Sequence, residues 1–312
     1  MKNQFILILS LLSLGFSAAA QKEYKLSKST GRINFNINGA IIEGYSGNEI
    51  IFTSAKNDEE PVDERAKGLR PISGSGFVDN TGLGIEVVNK GEEVTVNSVN
   101  KHADAVLTIK VPQGMKISFN NNSSLYHNDI TLKNLKNEIE VSTSYNQIKL
   151  ENNTGPMNIK TLYGSVDAVF SGDIKGPVSI VSVYGHVDVS MPNATKANVE
   201  LGTNYGKLYA ADAFKIVMEK PAEKAPTPKS DVSITDVAVV AKTAVAATVN
   251  GVQITGISGS TGATINNNRR MNGVSIGYAS SREVENIKGK INGGGTDLIF
   301  KSTYQNVYLR DK

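Results

Sequence analysis

The sequence predicts an all-β protein: a single-stranded β-solenoid, or β-helix-like repeat domain, with an N-terminal β-cap. Three observations lead to this prediction. From about residue 137 the chain repeats itself every twenty residues or so, each repeat contains short runs of alternating apolar and polar residues, and five repeats share a tyrosine at the same position. A unit of this length cannot bury its apolar face alone, so consecutive units are expected to stack.

Two repeats resemble each other most clearly. The segments GPMNIKTLYGSVDA and GPVSIVSVYGHVDV, which begin at Gly155 and Gly176, are identical at seven of fourteen positions. Each opens with an apolar–polar–apolar triplet, and a tyrosine follows six residues after the first apolar residue. A period of two is the signature of a β-strand. A second alternating run follows the tyrosine, so each unit is predicted to hold two short strands joined by a tight corner.

Eight triplets of this kind follow one another along the chain. They are Ile139/Val141, Met157/Ile159, Val178/Ile180, Val199/Leu201, Val232/Ile234, Val252/Ile254, Val274/Ile276 and Leu298/Phe300. They start 18, 21, 21, 33, 20, 22 and 24 residues apart. The outlying interval contains the Pro- and Lys-rich stretch 220–230, which we predict to be an insertion into one unit. A series of antiparallel meanders, in a sandwich or prism, remains the alternative architecture.

The segments before the repeats divide into two parts. Residues 1–20 are predicted to be a signal peptide, because Lys2 precedes a short apolar run and Ala18–Ala20 forms a small-residue cleavage site. Residues 21–119 are predicted to form N-terminal β-cap strands, which a solenoid needs because an open end exposes unpaired strand edges. Residues 120–312 would then form the solenoid repeats. The protein is expected to be exported to the periplasm or cell surface, with no transmembrane segment.

The composition argues against several classes of partner and cofactor. The chain has no cysteine and carries a formal net charge of +3, with no clustered basic stripe. Nucleic acid is therefore not an expected partner. The three histidines (His102, His127 and His186) do not lie at metal-ligand spacing, so we predict no metal. No cofactor-binding motif is found, and the sequence does not indicate the oligomeric state.

The recurring tyrosines are the strongest candidates for a functional site. Tyr145, Tyr163, Tyr184 and Tyr205 occupy equivalent positions in successive units, so they are predicted to stack on adjacent coils. Exposed, such a column would bind a partner, either a glycan or an envelope protein. The alternative is a purely structural stack at the corner, since aromatic pairs ordinarily stabilise sheets.

Two carboxylates also recur at one coil position. Asp167 and Asp188 each follow a tyrosine by four residues, and stacking would bring them about 4.8 Å apart. Paired carboxylates perform general acid–base chemistry in glycosidases. The alternative is an ordinary solvated face, because carboxylates on a sheet surface are common.

Several segments resemble a known family. They are GRINFNI from Gly31, GYSGNEIIFTSA from Gly44, LTIKVP from Leu107, the Tyr-Gly corners and the ending INGGGTDLIFKSTYQNVYLR. In these the chain resembles the bacterial "putative adhesin" domain family of unknown function, and the head domains of auto-transporter adhesins are similar as well. The resemblance implies an exported all-β protein with a solenoid-like fold and a role in the envelope, and it supplies no catalytic residues.

The leading hypothesis is therefore an exported envelope protein that acts as a non-enzymatic, adhesin-like binding scaffold. One alternative is a polysaccharide-active enzyme that uses Asp167 and Asp188 as acid and base. The other is a structural envelope protein that assembles end to end through an imperfectly capped terminus.

Overall fold

The computed structural model describes residues 22–54, 64–69, 74–99, 106–219 and 285–312, together with the backbone of three strands between residues 246 and 265. The chain forms two compact units, Met1–Glu219 with Val284–Lys312, and Lys220–Glu283. In the described residues the only helical segments are two single 3₁₀ turns, Glu64–Ala66 and Asp212–Phe214. The predicted all-β class is confirmed, and no helix in this part of the chain is long and apolar enough to cross a membrane.

The first unit consists of strands that form two sheets. In chain order these strands are β1 Glu23–Leu26, β2 Thr30–Asn36, β3 Ala40–Tyr45, β4 Ile50–Ser54, β5 Ile85–Lys90, β6 Glu93–Ser98, β7 Leu107–Pro112, β8 Gly114–Asn121, β9 Ile130–Lys133, β10 Ile139–Thr143, β11 Ile148–Glu151, β12 Met157–Thr161, β13 Val166–Val169, β14 Val178–Ser182, β15 Val187–Met191, β16 Ala197–Thr203, β17 Leu208–Ala210, β18 Val217–Met218, β22 Glu285–Ile291, β23 Thr296–Ser302 and β24 Val307–Asp311.

Sheet A has the order β1-β4-β7-β3-β9-β11-β13-β15-β24-β17, and sheet B has the order β18-β22-β16-β23-β14-β12-β10-β8-β2-β6-β5. Each coil of the solenoid consists of one strand in sheet B, a corner, and the next strand in sheet A. In spatial order the coils are β6/β7, β2/β3, β8/β9, β10/β11, β12/β13, β14/β15, β23/β24 and β16/β17. Consecutive coils pair in parallel, as a β-solenoid requires.

The spatial order of the coils departs from chain order at both ends. The prediction placed the Leu298/Phe300 triplet in the last coil of the ladder, and this was wrong. Strand β23 instead lies between β14 and β16, so that Leu298 pairs with Val178 on one side and with Val199 on the other. At the opposite end, the N-terminal coil β2/β3 lies between β6/β7 and β8/β9.

Antiparallel strands cover the outer coils. Strand β5 pairs with β6, β4 pairs with β7, and β1 pairs with β4. At the other end β22 pairs with β16, and the two-residue strand β18 pairs with β22. The ring of Phe214 is fully buried beside these strands. The division at residue 119 into cap and repeats stays a prediction. Strands from before that residue also contribute coils to the same two sheets.

The core fills the space between the sheets. Along most strands of the two sheets alternate residues are buried, as in β12, where Met157, Ile159 and Thr161 point inward. Parallel in-register pairing then places like side chains above one another, for example Ile139, Met157 and Val178. Each buried Val, Leu or Ile contributes roughly 1.5–3 kcal/mol of transfer free energy, so the core can stabilise a chain that has no disulfides.

The second unit differs from the predicted ladder. Its described strands are β19 Ala246–Val249, β20 Val252–Thr255 and β21 Thr264–Ile265, and they form a separate antiparallel sheet. Strand β20, which contains the triplet Val252/Ile254, thus pairs antiparallel with β19 and β21, whereas the prediction had it pair in parallel within the ladder. The period-two pattern identifies a strand but not its partner. The triplets Val232/Ile234 and Val274/Ile276 and the proposed insertion 220–230 lie outside the described residues.

Candidate functional site: the tyrosine column

One short motif builds the corner between the two sheets in five coils. It consists of a buried Ser or Thr at the end of the sheet B strand, any residue, a tyrosine, and then Gly, Asn or Gln. The five tyrosines are Tyr145, Tyr163, Tyr184, Tyr304 and Tyr205 in spatial order. Since the coils are in register, every corner has the same backbone path and lies directly on the corner of the neighbouring coil.

In three of the five corners, those of Ser182, Ser302 and Thr203, the buried hydroxyl bonds to a carbonyl of a neighbouring coil. Ser182 Oγ accepts a hydrogen bond from the Gly185 amide at 2.9 Å and donates one to the Gly164 carbonyl of the preceding coil at 2.8 Å. Thr203 Oγ1 bonds in the same way with the Gly206 amide and the Gln305 carbonyl, both at 3.0 Å. The hydroxyl thereby satisfies two backbone groups that would otherwise be buried without partners.

The glycine after the tyrosine is required by close backbone approach. A Cβ atom at Gly185 would lie 2.0 Å from the carbonyl oxygen of Gly164, and one at Gly164 would lie 1.8 Å from that of Asn146. Backbone amides of the tyrosines also bond along the stack, as from Tyr184 to the Leu162 carbonyl at 2.8 Å. The corners are therefore tightly packed, and the tyrosines project from a fixed backbone.

The four predicted tyrosines all join a single stack. Ring centroids are 4.5 Å apart between Tyr145 and Tyr163 and 4.7 Å apart between Tyr163 and Tyr184, with interplanar angles of 15° and 8°. Tyr205 does not contact Tyr184, because the ring of Tyr304 lies between them at 4.6 Å and 4.8 Å. The separations match the spacing of β-strands, so the rise of the solenoid sets the stack.

Tyr304 also belongs to the column, at a position that the sequence pattern did not predict. Its coil comes last in the chain, beyond the second unit, and the repeat pattern assigned it to the far end of the ladder. The signal was nevertheless present, since Ser302, Tyr304 and Gln305 follow the corner motif. His127 extends the stack at its other end, with its ring 5.5 Å from that of Tyr145.

The column exposes edges and hydroxyl groups rather than ring faces. Tyr163, Tyr184 and Tyr304 are 42–43% exposed, yet each has a neighbouring ring against both faces. The pKa of the Tyr163 hydroxyl is raised, first by charge repulsion from Tyr145 and then by desolvation and by Tyr184. The Tyr163 hydroxyl therefore stays protonated, and can donate a hydrogen bond, at neutral pH.

The two recurring aspartates are neighbours on the outer face of sheet A. Asp167 pairs in register with Asp188, and each has a cationic or histidine partner. Asp167 lies 3.0 Å from His186 Nε2, while Arg310 Nε donates to both oxygens of Asp188 at 2.7 and 2.9 Å. The Asp167 side chain is 60% exposed. The pair lies on the outer face of sheet A, where Asp167 contacts His186 and Asp188 forms an ion pair with Arg310.

The other polar candidates do not converge on a site. His127 belongs to the tyrosine column, and His186 contacts Asp167 of the aspartate row, the in-register pair Asp167 and Asp188. His102 lies outside the described residues. Within the described ranges no three His, Asp or Glu side chains are grouped so that they could hold a metal ion. The tyrosine column is therefore the most regular surface feature of the solenoid.

Comparison with known proteins gives a match to one family model. Residues 94–235, somewhat under half of the chain, match the Toastrack DUF4097 family. This match confirms the predicted resemblance to an all-β family of unknown function. No curated protein matches the chain.

One solved structure is similar over most of its length. It is a "putative cell adhesion protein" from Clostridium sporogenes, 12% identical, with 94% of this chain and 100% of that chain covered and a TM-score of 0.36. A likeness this distant supports no conclusion about the function of the present chain.

Proposed function

We propose that this chain, a β-solenoid that matches the Toastrack DUF4097 family, is an exported, non-enzymatic binding scaffold of the bacterial cell envelope. Its tyrosine column would contact the partner, which is a glycan or an envelope protein. The observation that carries the proposal is the unbroken stack of five tyrosines, four of which are 42–51% exposed, on corners that are packed in register.

The physical argument for binding is preorganisation. A side chain that is already immobile loses little conformational entropy when a partner arrives, and tyrosine offers a large amphipathic contact with only two side-chain torsions. Six rings in the column, counting His127, span roughly 24 Å at the spacing of β-strands. Because the inner faces are covered, the partner would meet a row of ring edges and hydroxyls, flanked by Leu162, which is 38% exposed.

The non-enzymatic part of the proposal is supported by the aspartate row. Asp167 and Asp188 are the residues that a polysaccharide-active enzyme would use on this solenoid. Both lie on the outer face of sheet A, where Asp167 contacts His186 and Asp188 pairs with Arg310. Catalysis by a carboxylate pair calls for groups that enclose a substrate and hold one carboxyl protonated. The surroundings of these two residues favour a structural role.

Export is proposed from the first twenty residues. Lys2, the apolar run that follows and Ala18–Ala20 have the composition of a secretory signal. The absence of cysteine leaves the sequence compatible with an oxidising compartment without disulfides. The periplasm and the cell surface both fit this proposal.

The proposal is tested with the protein from residue 21 onward and isolated envelope fractions, namely cell-wall sacculi and detergent-solubilised envelope proteins. We expect one fraction to retain the wild type. The double variant Tyr163→Thr/Tyr184→Thr should bind that fraction at least tenfold more weakly. The control Met218→Thr changes an apolar residue outside the column that is 63% exposed, and it should bind as the wild type does.

Two results would count against the proposal. One is that no envelope fraction retains the wild type above background, and the other is that the double variant is retained as tightly as the wild type. Thermal unfolding of each variant would show whether weaker binding comes from a damaged fold. The variants Tyr163→Phe and Tyr184→Phe then separate the contribution of the hydroxyl from that of the ring.

A further inference from the structure

The two ends of the solenoid leave steps of opposite sense. At the end formed by coil β16/β17, sheet B continues through β22 and β18, whereas β17 is the last strand of sheet A among the described residues. At the other end sheet A continues past β7 through β4 and β1, whereas sheet B continues past β6 through β5 alone. The sheet that is shorter at one end is therefore the longer one at the other. Counting only strands of more than two residues, each step is one strand deep.

The free edge of β17 presents backbone groups that no described strand pairs with. The Ala211 amide donates to the Leu309 carbonyl of β24 at 2.9 Å. Alternate residues of a strand direct their N–H and C=O groups to the same side, so those of Leu208 and Ala210 point away from β24. An edge of this kind is a template for a further strand.

The free edge of β1 has the same property at the other end. The Ser54 amide of β4 donates to the carbonyl of Lys22 at 3.2 Å, so the even-numbered residues of β1 bond to β4. The N–H and C=O groups of Glu23 and Lys25 therefore point away from β4. Their side chains are exposed, whereas Tyr24 packs against the core.

The two free edges agree in direction. Strand β1 is antiparallel to β4, and β4 is antiparallel to β7, so β1 runs in the same direction as β7. The coil strands of sheet A from β7 to β17 are all parallel. A second copy that follows the first along the solenoid axis therefore presents its β1 parallel to β17.

The side chains of the two edges agree only for this parallel arrangement. In a parallel pair, a residue whose backbone groups face the partner lies opposite a residue whose groups face away. Leu208 would thus lie opposite an even-numbered residue of β1 such as Tyr24, and both side chains pack on the core side of the sheet. In an antiparallel pair Leu208 would instead lie opposite Glu23 or Lys25, whose side chains are on the outer face.

A symmetric pairing of β17 with the β17 of a second copy is blocked by sheet B. Strands β22 and β18 extend past β17, so a twofold axis at this edge would place these strands of both copies in the same space. In the head-to-tail arrangement the long step of one copy meets the short step of the next, and this clash does not arise.

We propose that copies of this chain join end to end, with β1 of one copy added to β17 of the next as a parallel strand. Sheet A then continues from copy to copy. The contact uses two different surfaces of each copy, so its repetition along the axis gives linear assemblies. This inference goes beyond the proposed function, because it concerns the ends of the solenoid and not the tyrosine column.

The test is sedimentation velocity of the purified protein from residue 21 onward at rising concentration, where the wild type should form a series of growing species. Ala210→Pro blocks the β17 edge and Lys25→Pro blocks the β1 edge. Each proline replaces an N–H group that points away from the neighbouring strand, so pairing within the chain is kept. Each variant should associate at least tenfold more weakly than the wild type.

An equimolar mixture of the two variants is the decisive sample. Each variant keeps one intact edge, so the mixture should form dimers and nothing larger. Ser124→Pro is the control, since Ser124 is an exposed loop residue outside both sheets, and it should associate as the wild type does. If melting curves show that a proline variant is unfolded, Ala210→Lys or Glu23→Pro replaces it at the same edge.

Four results would overturn the inference. They are a wild type that stays monomeric at every soluble concentration, a wild type that stops at the dimer, a folded edge variant that associates as the wild type does, and a mixture of folded edge variants that stays monomeric. Because the assay contains no envelope material, its outcome is independent of the binding test for the tyrosine column.

Discussion

At the scale of single residues, the corner hydroxyl shows how one sequence position acquires different roles in different coils. Ser182 and Thr203 bridge two backbone groups each. Thr143 occupies the same motif position, but its Oγ1 atom is buried with no hydrogen-bond partner among the described residues. There the corner is held instead by Asn146, whose side-chain amide donates to the carbonyls of Asn38 and Asn128 at 2.6 and 2.7 Å.

This contrast gives a matched pair of substitutions. Thr203→Val removes a hydroxyl and leaves a buried amide and a carbonyl unsatisfied, so we expect a loss of about 1–3 kcal/mol in the free energy of unfolding. Thr143→Val removes a hydroxyl that has no partner, so it should be neutral or stabilising. Both changes keep the β-branched shape, and urea unfolding measures both. Equal losses in the two variants would show that the bridging hydrogen bonds are not what holds the corner.

The sequence predicted most of the column at this scale. Period-two runs and a tyrosine at a constant offset are local properties, and stacking follows from them because parallel pairing places equal offsets together. The position of Tyr304 is not a local property. Its own motif is intact, but nothing in that motif states which coil it contacts.

At the scale of strands, the inserted strand β23 is joined to its neighbour through one carboxylate. Glu200 of β16 bonds Lys301 of β23 and pairs with Lys288 of β22, and its side chain is 21% exposed. The Lys301 hydrogen bond, opposed in part by desolvation, and the charges of both lysines lower the pKa of Glu200 from its usual 4.5. The carboxylate therefore connects three adjacent strands that come from distant parts of the chain.

The lowered pKa has a defined consequence for acid stability. The contribution of Glu200 is present at pH values above about 4.5 and is lost as the pH falls through the lower pKa of the folded state. At pH 7, Glu200→Gln should destabilise the protein by about 1 kcal/mol. The difference from the wild type should shrink below pH 4. Melting temperatures across pH 3–8 provide the measurement.

A control for this prediction lies on the same sheet. Glu140 forms an ion pair as well, in its case with Arg32, but the Glu140 side chain is 51% exposed. Glu140→Gln should therefore change the melting temperature little at any pH. If the Glu200 and Glu140 variants show the same pH dependence of the melting temperature, the contact of Glu200 with three strands does not stabilise the protein more than an exposed ion pair does.

At the scale of the whole molecule, the fold class was predictable and the order of the coils was not. Every coil presents alternating apolar residues of similar size, so Leu298 fits beside Val178 as well as Val199 does. The local pattern specifies which face of its strand a residue occupies. Which of two equivalent strands becomes the neighbour depends on where the long connection between β18 and β22 brings the chain back. The separate antiparallel sheet around Val252 was missed for the same reason.

The connection that contains the second unit leaves and re-enters at neighbouring strands. The Glu219 amide donates to the Lys288 carbonyl at 2.8 Å, and β18 pairs with β22. We therefore expect that residues 220–283 can be replaced by about six Gly and Ser residues, a length that spans this gap, with the melting temperature changed by only a few degrees. Calorimetry of the shortened protein tests this, and loss of a cooperative transition would show that the solenoid depends on the second unit.

The inserted position of the C-terminal coil has a consequence for synthesis. Residues 296–311 leave the ribosome about a hundred residues after the two coils between which they lie. Before they emerge, β14 and β16 could pair directly with each other, because the sequence pattern does not distinguish between these two neighbours and β23. Strand β23 must displace that direct pairing, so a chain that stops before residue 296 would form a stack with one coil fewer, in which β14 and β16 are neighbours.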